Sequence, residues 1–233
     1  MSVVEDMLAH AASDPEREVC GLIINVGKKG QIVRGVNVHP DPRRYFELGT
    51  DVWLTIPDSV EVIGIYHSHP FGSTEPSQAD LVMCEASGVP WHIVNPHTND
   101  HRVVNPSGYE APYEGRVYVQ GILDCYAVIR DWYRREMGLR FPDYHRDAEW
   151  WNKGQDLYRD HFAECGFEQM PIGVAPEKGD SFLIQRGARV PNHAAVYLGD
   201  GKILHHVYGR LSTVDVYGGV WKDKTVAHLR LKG

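Results

Sequence analysis

Val62-Ile63-Gly64-Ile65-Tyr66-His67-Ser68-His69-Pro70, followed after a short polar stretch by Ser77-Gln78-Ala79-Asp80, decides the reading of the N-terminal half. The apolar run Val62–Tyr66 has the composition of a buried strand, and histidines at i and i+2 at its end project from one face. Asp80 arrives at the start of the next apolar segment, three places after Ser77, in the outline of a helix capping box. Two imidazoles and one carboxylate are three ligands of a tetrahedral Zn2+ with its fourth position open to water, as a catalytic zinc site requires. Such a water is a usable nucleophile near neutral pH when a base takes its proton. Glu18, in Glu18-Val19-Cys20-Gly21-Leu22, is the candidate base. Each fragment alone is common by chance. Their order, with a strand ahead of a helix, points to metal ligation by His67, His69 and Asp80. Ser77 is expected both to cap that helix and to hydrogen-bond near the metal.

Working outward, Val4 to Ala12 has amphipathic helical spacing ahead of Asp14-Pro15. Strands are expected over 19–25, 31–38, 60–67 and 91–95, and a helix over 81–86. The 233 residues suit one large or two small domains. Two prolines and two glycines without apolar periodicity make 106–115 the expected linker, dividing the chain into 1–105 and 116–233. The composition, 42% hydrophobic and 24% charged, is that of an ordinary folded protein. No apolar run is long enough to cross a bilayer, so no membrane partner is expected, and the acidic N-terminus does not read as a signal peptide. A net charge of −7 and a pI near 6.0 argue against a nucleic-acid partner, which would need clustered Lys and Arg. Cys20, Cys84, Cys125 and Cys165 lie far apart without a Cys-x-x-Cys pair, and no disulfide is expected.

In the second half, helical spacing runs from Cys125 to about Met137, with Gly138 as its stop. A second helix is expected through Glu149-Trp150-Trp151 to Ala163-Glu164, ended by Gly166. The period then changes to two, giving strands over 181–185, 193–198 and 203–207, with Gly199-Asp200-Gly201 as a hairpin turn. Asp124-Cys125 stands at a helix start, where the partial positive charge of the helix favours a thiolate. That placement makes Cys125 a candidate nucleophile and His193 its candidate base. The hairpin returns His205-His206 beside His193, and alternation sends those two rings to opposite faces, so one of them is available to orient the base.

The pattern Glu18…His67-Ser68-His69-Pro70…Ser77-x-x-Asp80, with every position filled, resembles the JAMM (JAB1/MPN/Mov34) metallopeptidase family. Asp124-Cys125 at a helix start, Lys178-Gly179-Asp180 before a strand, and His193-x-x-x-Tyr197-Leu198-Gly199 followed by a histidine resemble the NlpC/P60 cysteine peptidases, which cleave peptidoglycan stem peptides. His205 fits that family's third catalytic position better than His206, and Tyr118 resembles the tyrosine that precedes its cysteine. One departure is Tyr126-Ala127, where the family usually carries a small Ser-Gly after the cysteine. The two halves in this order resemble the tail assembly protein K family of lambda-like siphophages. The resemblance implies an α+β chain of two domains: a JAMM-like mixed β-sheet with flanking helices, then an NlpC/P60 papain-like domain. It implies Zn2+ at His67, His69 and Asp80 with Glu18 and Ser77 beside it, and catalysis by Cys125, His193 and His205. The expected activity is a phage tail-tip assembly peptidase: a thiol hydrolase of stem peptides joined to a zinc-dependent peptidase or isopeptidase. Expected partners are peptidoglycan stem peptides and other phage tail-tip proteins, met in the host cytoplasm during assembly and at the virion tail tip. The competing expectation is a structural tail-assembly protein that uses both folds as docking modules.

Overall fold

The computed structural model describes residues 2–27, 29–171 and 173–233 and divides into two compact units, Met1–Glu110 and Ala111–Gly233. In the first unit, helix α1 (Val3–Ser13) starts on a reciprocal capping box between Ser2 and Glu5. Strands β1 (Cys20–Val26) and β2 (Lys29–Gly35) are antiparallel neighbours. After a single helical turn, α2 (Asp51–Leu54), β3 (Val62–Ser68) pairs antiparallel with the other edge of β1. Helix α3 (Gln78–Ser87) crosses over to β4 (Trp91–Val94), which runs parallel to β3, and β5 (His101–Val104) closes the edge. The mixed sheet has the order β2-β1-β3-β4-β5.

Both faces of this sheet are covered, which is why its central strands are apolar without alternation. Leu22, Ile24, Ile65, Trp91 and Ile93 pack with Cys84 of α3 on one face. Ile23, Tyr66 and Val94 pack with Met7 and Ala11 of α1 on the other. At Gly21 an added Cβ would lie 2.3 Å from the Val33 carbonyl and 2.6 Å from the Tyr66 ring, so only glycine fits between β1's neighbours. The strand expected over 31–38 ends at Gly35 instead, and Val36 and Val38 are exposed.

In the second unit, helix α4 (Cys125–Met137) begins at the Asp124 cap and ends at Gly138, whose φ of 70° is the left-handed stop. The expected second helix is broken. A 3-10 turn at Trp150–Asn152 and a short helix α5 (Leu157–His161) are separated by Gly154 at φ 83°, a conformation no helix interior adopts. Strands β6 (Phe167–Gln169), β7 (Ser181–Ile184), β8 (His193–Gly199), β9 (Lys202–His205), β10 (Thr213–Val216) and β11 (Thr225–Leu231) form an antiparallel sheet. Its order is β10-β9-β8-β7-β11-β6, with a helical turn, α6 (Val220–Asp223), ahead of β11. Helix α4 lies against β8 and β9 through the stripe Cys125, Val128, Ile129 and Trp132, spaced i, i+3, i+4, i+7. The thiol therefore belongs to the buried face and points at the sheet rather than at solvent.

Candidate active sites

In the first unit, β3 carries His67 and the loop beyond it His69, and the capped start of α3 brings Asp80 to them. His67 Nε2 and His69 Nε2 lie 3.0 Å apart, His67 Nε2 is 3.3 Å from Asp80 Oδ1, and His69 Nε2 is 3.5 Å from Asp80 Oδ2. Tetrahedral zinc with bonds of about 2.0–2.1 Å separates its ligand atoms by roughly 3.4 Å. The three donors converge within 4.8 Å, and this donor set fits such an ion. The His69 tautomer is set from behind: Nδ1 is 2.9 Å from the Ser73 carbonyl, which can only accept, so Nε2 presents its lone pair. His67 is fully buried, stacked on Phe46 with ring centroids 4.4 Å apart.

Ser77 and Asp80 form a reciprocal capping box. The Asp80 N–H donates to Ser77 Oγ at 3.1 Å, and the Ser77 N–H donates to Asp80 Oδ2 at 2.7 Å. One carboxylate thus fixes the helix start and faces both imidazoles. Burial opposes its charge, but His67 and His69 outweigh that and hold the Asp80 carboxyl well below the usual carboxylate range. Glu18 precedes β1, whose register (Cys20 opposite His67) continues to bring Glu18 beside His69. Ser68 explains the middle position of His-Ser-His: its Oγ accepts the Val19 N–H at 3.0 Å, and its own N–H donates to the Val19 carbonyl at 2.9 Å. Asn37 Nδ2 donates to the Glu18 carbonyl at 2.8 Å. Burial pushes the Glu18 carboxyl up to about 8, against the pull of His69, into the range where a carboxylate exchanges protons near neutrality.

In the second unit, Cys125, His193 and His206 line one cleft of about 520 Å³. His193 Nε2 and His205 Nδ1 are 2.9 Å apart, and His205 Nε2 is 3.1 Å from Asp215 Oδ2. With Asp215 as a carboxylate, these contacts set both tautomers. His205 donates to Asp215 through Nε2–H, so its Nδ1 accepts from His193 Nε2–H, leaving the lone pair of His193 on Nδ1. Burial, reinforced by His205, depresses the proton affinity of His193 well below that of a free imidazole. The thiol itself is hydrogen-bonded to the Tyr158 hydroxyl at 3.0 Å and to the Ala194 N–H, with no hydrogen bond to His193. The helix start was expected to favour the thiolate. Burial wins instead, and with the neighbouring Asp124 carboxylate it pushes the Cys125 thiol up to about 11. Strand alternation was expected to send His205 and His206 to opposite faces, leaving one of them to take part. His205 packs against Trp221 and reaches the cleft only through His193, whereas His206, just beyond the end of β9, is fully buried and lines the cleft itself, edge-on to Tyr118 and 3.2 Å from the Arg210 carbonyl.

Residues 1–105 match the family described as prokaryotic homologs of the JAB domain, and residues 113–230 match the NlpC/P60 family. The tail tip assembly protein K of Escherichia phage N15 is 33% identical over 231 residues, covering 98% of this chain and 94% of that protein. The chain belongs to the tail tip assembly protein K family. Its relative of the same name from Escherichia phage lambda is 36% identical over 173 residues, covering 74% of this chain and 83% of the other. A JAB1/MPN domain protein from Archaeoglobus fulgidus aligns with a TM-score of 0.34 and 22% identity over 48% of this chain and 91% of its own.

Several residues of this family member escaped sequence reasoning. Asp215 stands in an alternating strand with nothing to mark it, yet β10 pairs Thr213 with His205 and so sets Asp215 diagonal to that ring. Tyr158 was expected inside a long helix. Phe46 lies in a segment without periodicity. Arg146 donates to Asp124 at 2.8 Å through Nε and to the Gly121 carbonyl at 2.8 Å, clamping the turn that delivers Cys125.

Proposed function

We propose that this chain serves in phage tail-tip assembly, the role its relatives' names describe, as a peptidase with two sites. The N-terminal unit reads as a zinc-dependent peptidase or isopeptidase, and the C-terminal unit as a thiol hydrolase of peptidoglycan stem peptides. The observation that carries the enzymatic reading is the convergence of His67, His69 and Asp80 with a buried Glu18 of raised proton affinity. An assembly scaffold has no need of that arrangement. His67, His69 and Asp80 would hold Zn2+, which when bound supplies Lewis acidity at its open position. Glu18 accepts a proton from the attacking water and returns it to the leaving amine. Ser77, whose oxygen already accepts the Asp80 N–H, keeps its hydroxyl hydrogen free to donate to the developing oxyanion.

In the C-terminal unit, His193 Nδ1 takes the Cys125 proton and the thiolate attacks the amide carbonyl carbon. The C–N bond breaks as His193 returns the proton to the leaving amine, and water then cleaves the thioester. His205 and Asp215 hold the imidazole in the tautomer that makes Nδ1 the base. Peptidoglycan stem peptides and other tail-tip proteins are the proposed partners, in the host cytoplasm and at the tail tip.

A second reading, docking modules that retain enzymatic folds, is favoured by the thiol, which is buried and bonded to Tyr158 rather than to His193. The two readings separate in one experiment. Sacculi are digested with the purified full chain, its Cys125→Ser variant and its His193→Ala variant, and released fragments are read by mass spectrometry. The peptidase reading expects stem-peptide fragments from the parent and loss of at least about a hundredfold in both variants. No release by the parent, with tails still assembled by a Glu18→Gln/Cys125→Ser double variant, leaves the docking reading.

A further inference from the structure

Asn95, the residue after β4, is a carboxamide only 3% exposed, and backbone groups fill all four of its hydrogen-bonding positions. Its Oδ1 accepts the N–H groups of His97 and Thr98 at 2.8 and 3.0 Å, which shapes the turn from β4 to β5. Its Nδ2 donates to the His69 carbonyl at 2.8 Å and to the Gly72 carbonyl at 2.6 Å. The turn needs only the oxygen. The nitrogen serves a loop 26 and 23 residues earlier in the chain. Both backbone groups of His69 are thereby bound at the end of one strand: its N–H donates to the Val94 carbonyl at 2.9 Å, and its carbonyl accepts from Asn95. Gly72 adjoins Ser73, whose carbonyl lies 2.9 Å from His69 Nδ1 and sets the tautomer that turns the Nε2 lone pair toward His67 and Asp80.

The other two ligands are held by regular structure. His67 is fully buried within β3, and Asp80 is fixed by the helix cap it shares with Ser77. His69 alone stands in a loop, and one side chain fastens that loop at two points. We propose that Asn95 is a positioning residue of the metal site, holding His69 in ligating geometry through the two carbonyls that its Nδ2 binds. The inference rests on the zinc reading of His67, His69 and Asp80 and adds to it a residue outside the ligand pattern. Only a carboxamide meets the requirement. Two carbonyls demand two N–H donors, and two backbone N–H groups demand an acceptor, all from one short side chain; aspartate offers acceptors alone, and serine offers one donor. A buried carboxylate here would also face two carbonyl oxygens with nothing to donate to them. Partners that orient a metal ligand in this way are worth about 10–100-fold in metal affinity.

The test compares the full chain with its Asn95→Asp variant. That substitution retains the oxygen that shapes the β4–β5 turn, so a residue serving the turn alone tolerates it. Zinc affinity is read by competition with a chromogenic chelator, and ligand geometry by the visible absorption of chain loaded with Co2+ in place of zinc. Asn95→Asp is expected to weaken zinc binding at least about tenfold and to alter the cobalt bands. Met7→Ala removes a buried side chain from the opposite face of the sheet and controls for lost stability. It should lower the melting temperature and leave zinc affinity and cobalt bands at the parent values. Asn95→Ser, too short to bridge both carbonyls, should weaken zinc in the same direction, and it takes over where circular dichroism shows that Asn95→Asp does not fold. Parent-like affinity and cobalt bands in a folded Asn95 variant overturn the proposal and leave the zinc site standing. An equal loss of affinity in Met7→Ala overturns it too, because stability alone then accounts for the effect. No zinc bound by the parent removes the zinc reading itself, and this inference with it.

Discussion

The Tyr158 hydroxyl lies 3.0 Å from Cys125 Sγ, while His193 is hydrogen-bonded to His205. The resting thiol therefore has a phenol for a partner instead of a base. A phenol that donates to sulfur stabilises the thiolate, offsetting part of the burial and Asp124 effects that push the thiol up to about 11.

Tyr158→Phe should accordingly make Cys125 less reactive. Removing a hydrogen bond to a charged group costs about 1.5–3 kcal/mol, so alkylation of Cys125 near pH 8 should slow by roughly tenfold or more. Rates from pH 7 to 10, followed by peptide mapping, read this directly. Faster labelling in the variant would mean that the phenol blocks the thiol rather than supporting the thiolate.

Metal binding should be confined to one site. Purified chain is expected to hold about one equivalent of zinc, since three converging ligands define one open site. His67→Ala should reduce that to near zero in elemental analysis. Stripping the metal with a chelator should lower the melting temperature, because an ion bound only by the folded state stabilises it. Zinc retained in a His67→Ala/His69→Ala variant would remove the assignment.

Glu18→Gln separates holding the metal from using it. The amide keeps the shape of Glu18 but cannot accept a proton, so zinc content should stay at the parent value. Metallopeptidase turnover, once a substrate is found, should fall by about a hundredfold or more. Loss of zinc in this variant would show Glu18 to be a ligand and not a base.

The Asp124–Arg146 pair is a stability element under the nucleophile. Both side chains are almost fully enclosed, and Arg146 Nε is 2.8 Å from Asp124 Oδ2. Arg146→Met leaves a buried carboxylate without its partner, for an expected loss of about 3–5 kcal/mol in urea denaturation. Asp124 also caps α4, accepting the Ala127 N–H at 2.9 Å, so Asp124→Ala should loosen the start of that helix as well. A change below about 0.5 kcal/mol for Arg146→Met, the size of an ordinary surface substitution, would contradict this account.

Acid should destabilise the chain through its buried histidines at a pH above that at which an ordinary carboxylate titrates. Burial, then Arg34, lowers His10 to about 4; burial, then His101, lowers His92 to about 4; and burial holds His193 well below its usual value. The unfolded chain protonates these rings near pH 6.5, whereas the folded chain does not, so the unfolded state binds more protons below that pH. Their contribution is complete above about pH 6.5 and is lost as the pH falls toward about 4. Glu18, raised to about 8 in the fold, works in the opposite sense and offsets the rings near neutrality, so the decline in melting temperature is expected between pH 6.5 and 5.5, where the three rings together outweigh it. A flat or rising profile would show that the rings are solvated.

Much of the first site was legible because its chemistry is local. His67 near the end of β3 and His69 just beyond it are brought together by a two-residue spacing, and Ser77 and Asp80 share a helix start through capping geometry. Helix α4 was legible in the same way, from the spacing of its apolar stripe and the stop at Gly138. The broken helix between residues 149 and 164 was not, because the run's apolar spacing outweighed the single Gly154 that interrupts it.

The sequence by itself determined which residues carry reactive groups, their order, and the two periodicities that deliver them. Only the tertiary structure decided their states. Burial under the sheet raised a thiol that its helix position alone would have lowered. The fold put His206 on the cleft with Cys125 and set His205 behind His193, a choice between the two rings that alternation alone left open. Pairing of β10 with β9 supplied Asp215. Desolvation and cross-strand neighbours are properties of chain segments far apart in sequence, so no local pattern encodes them.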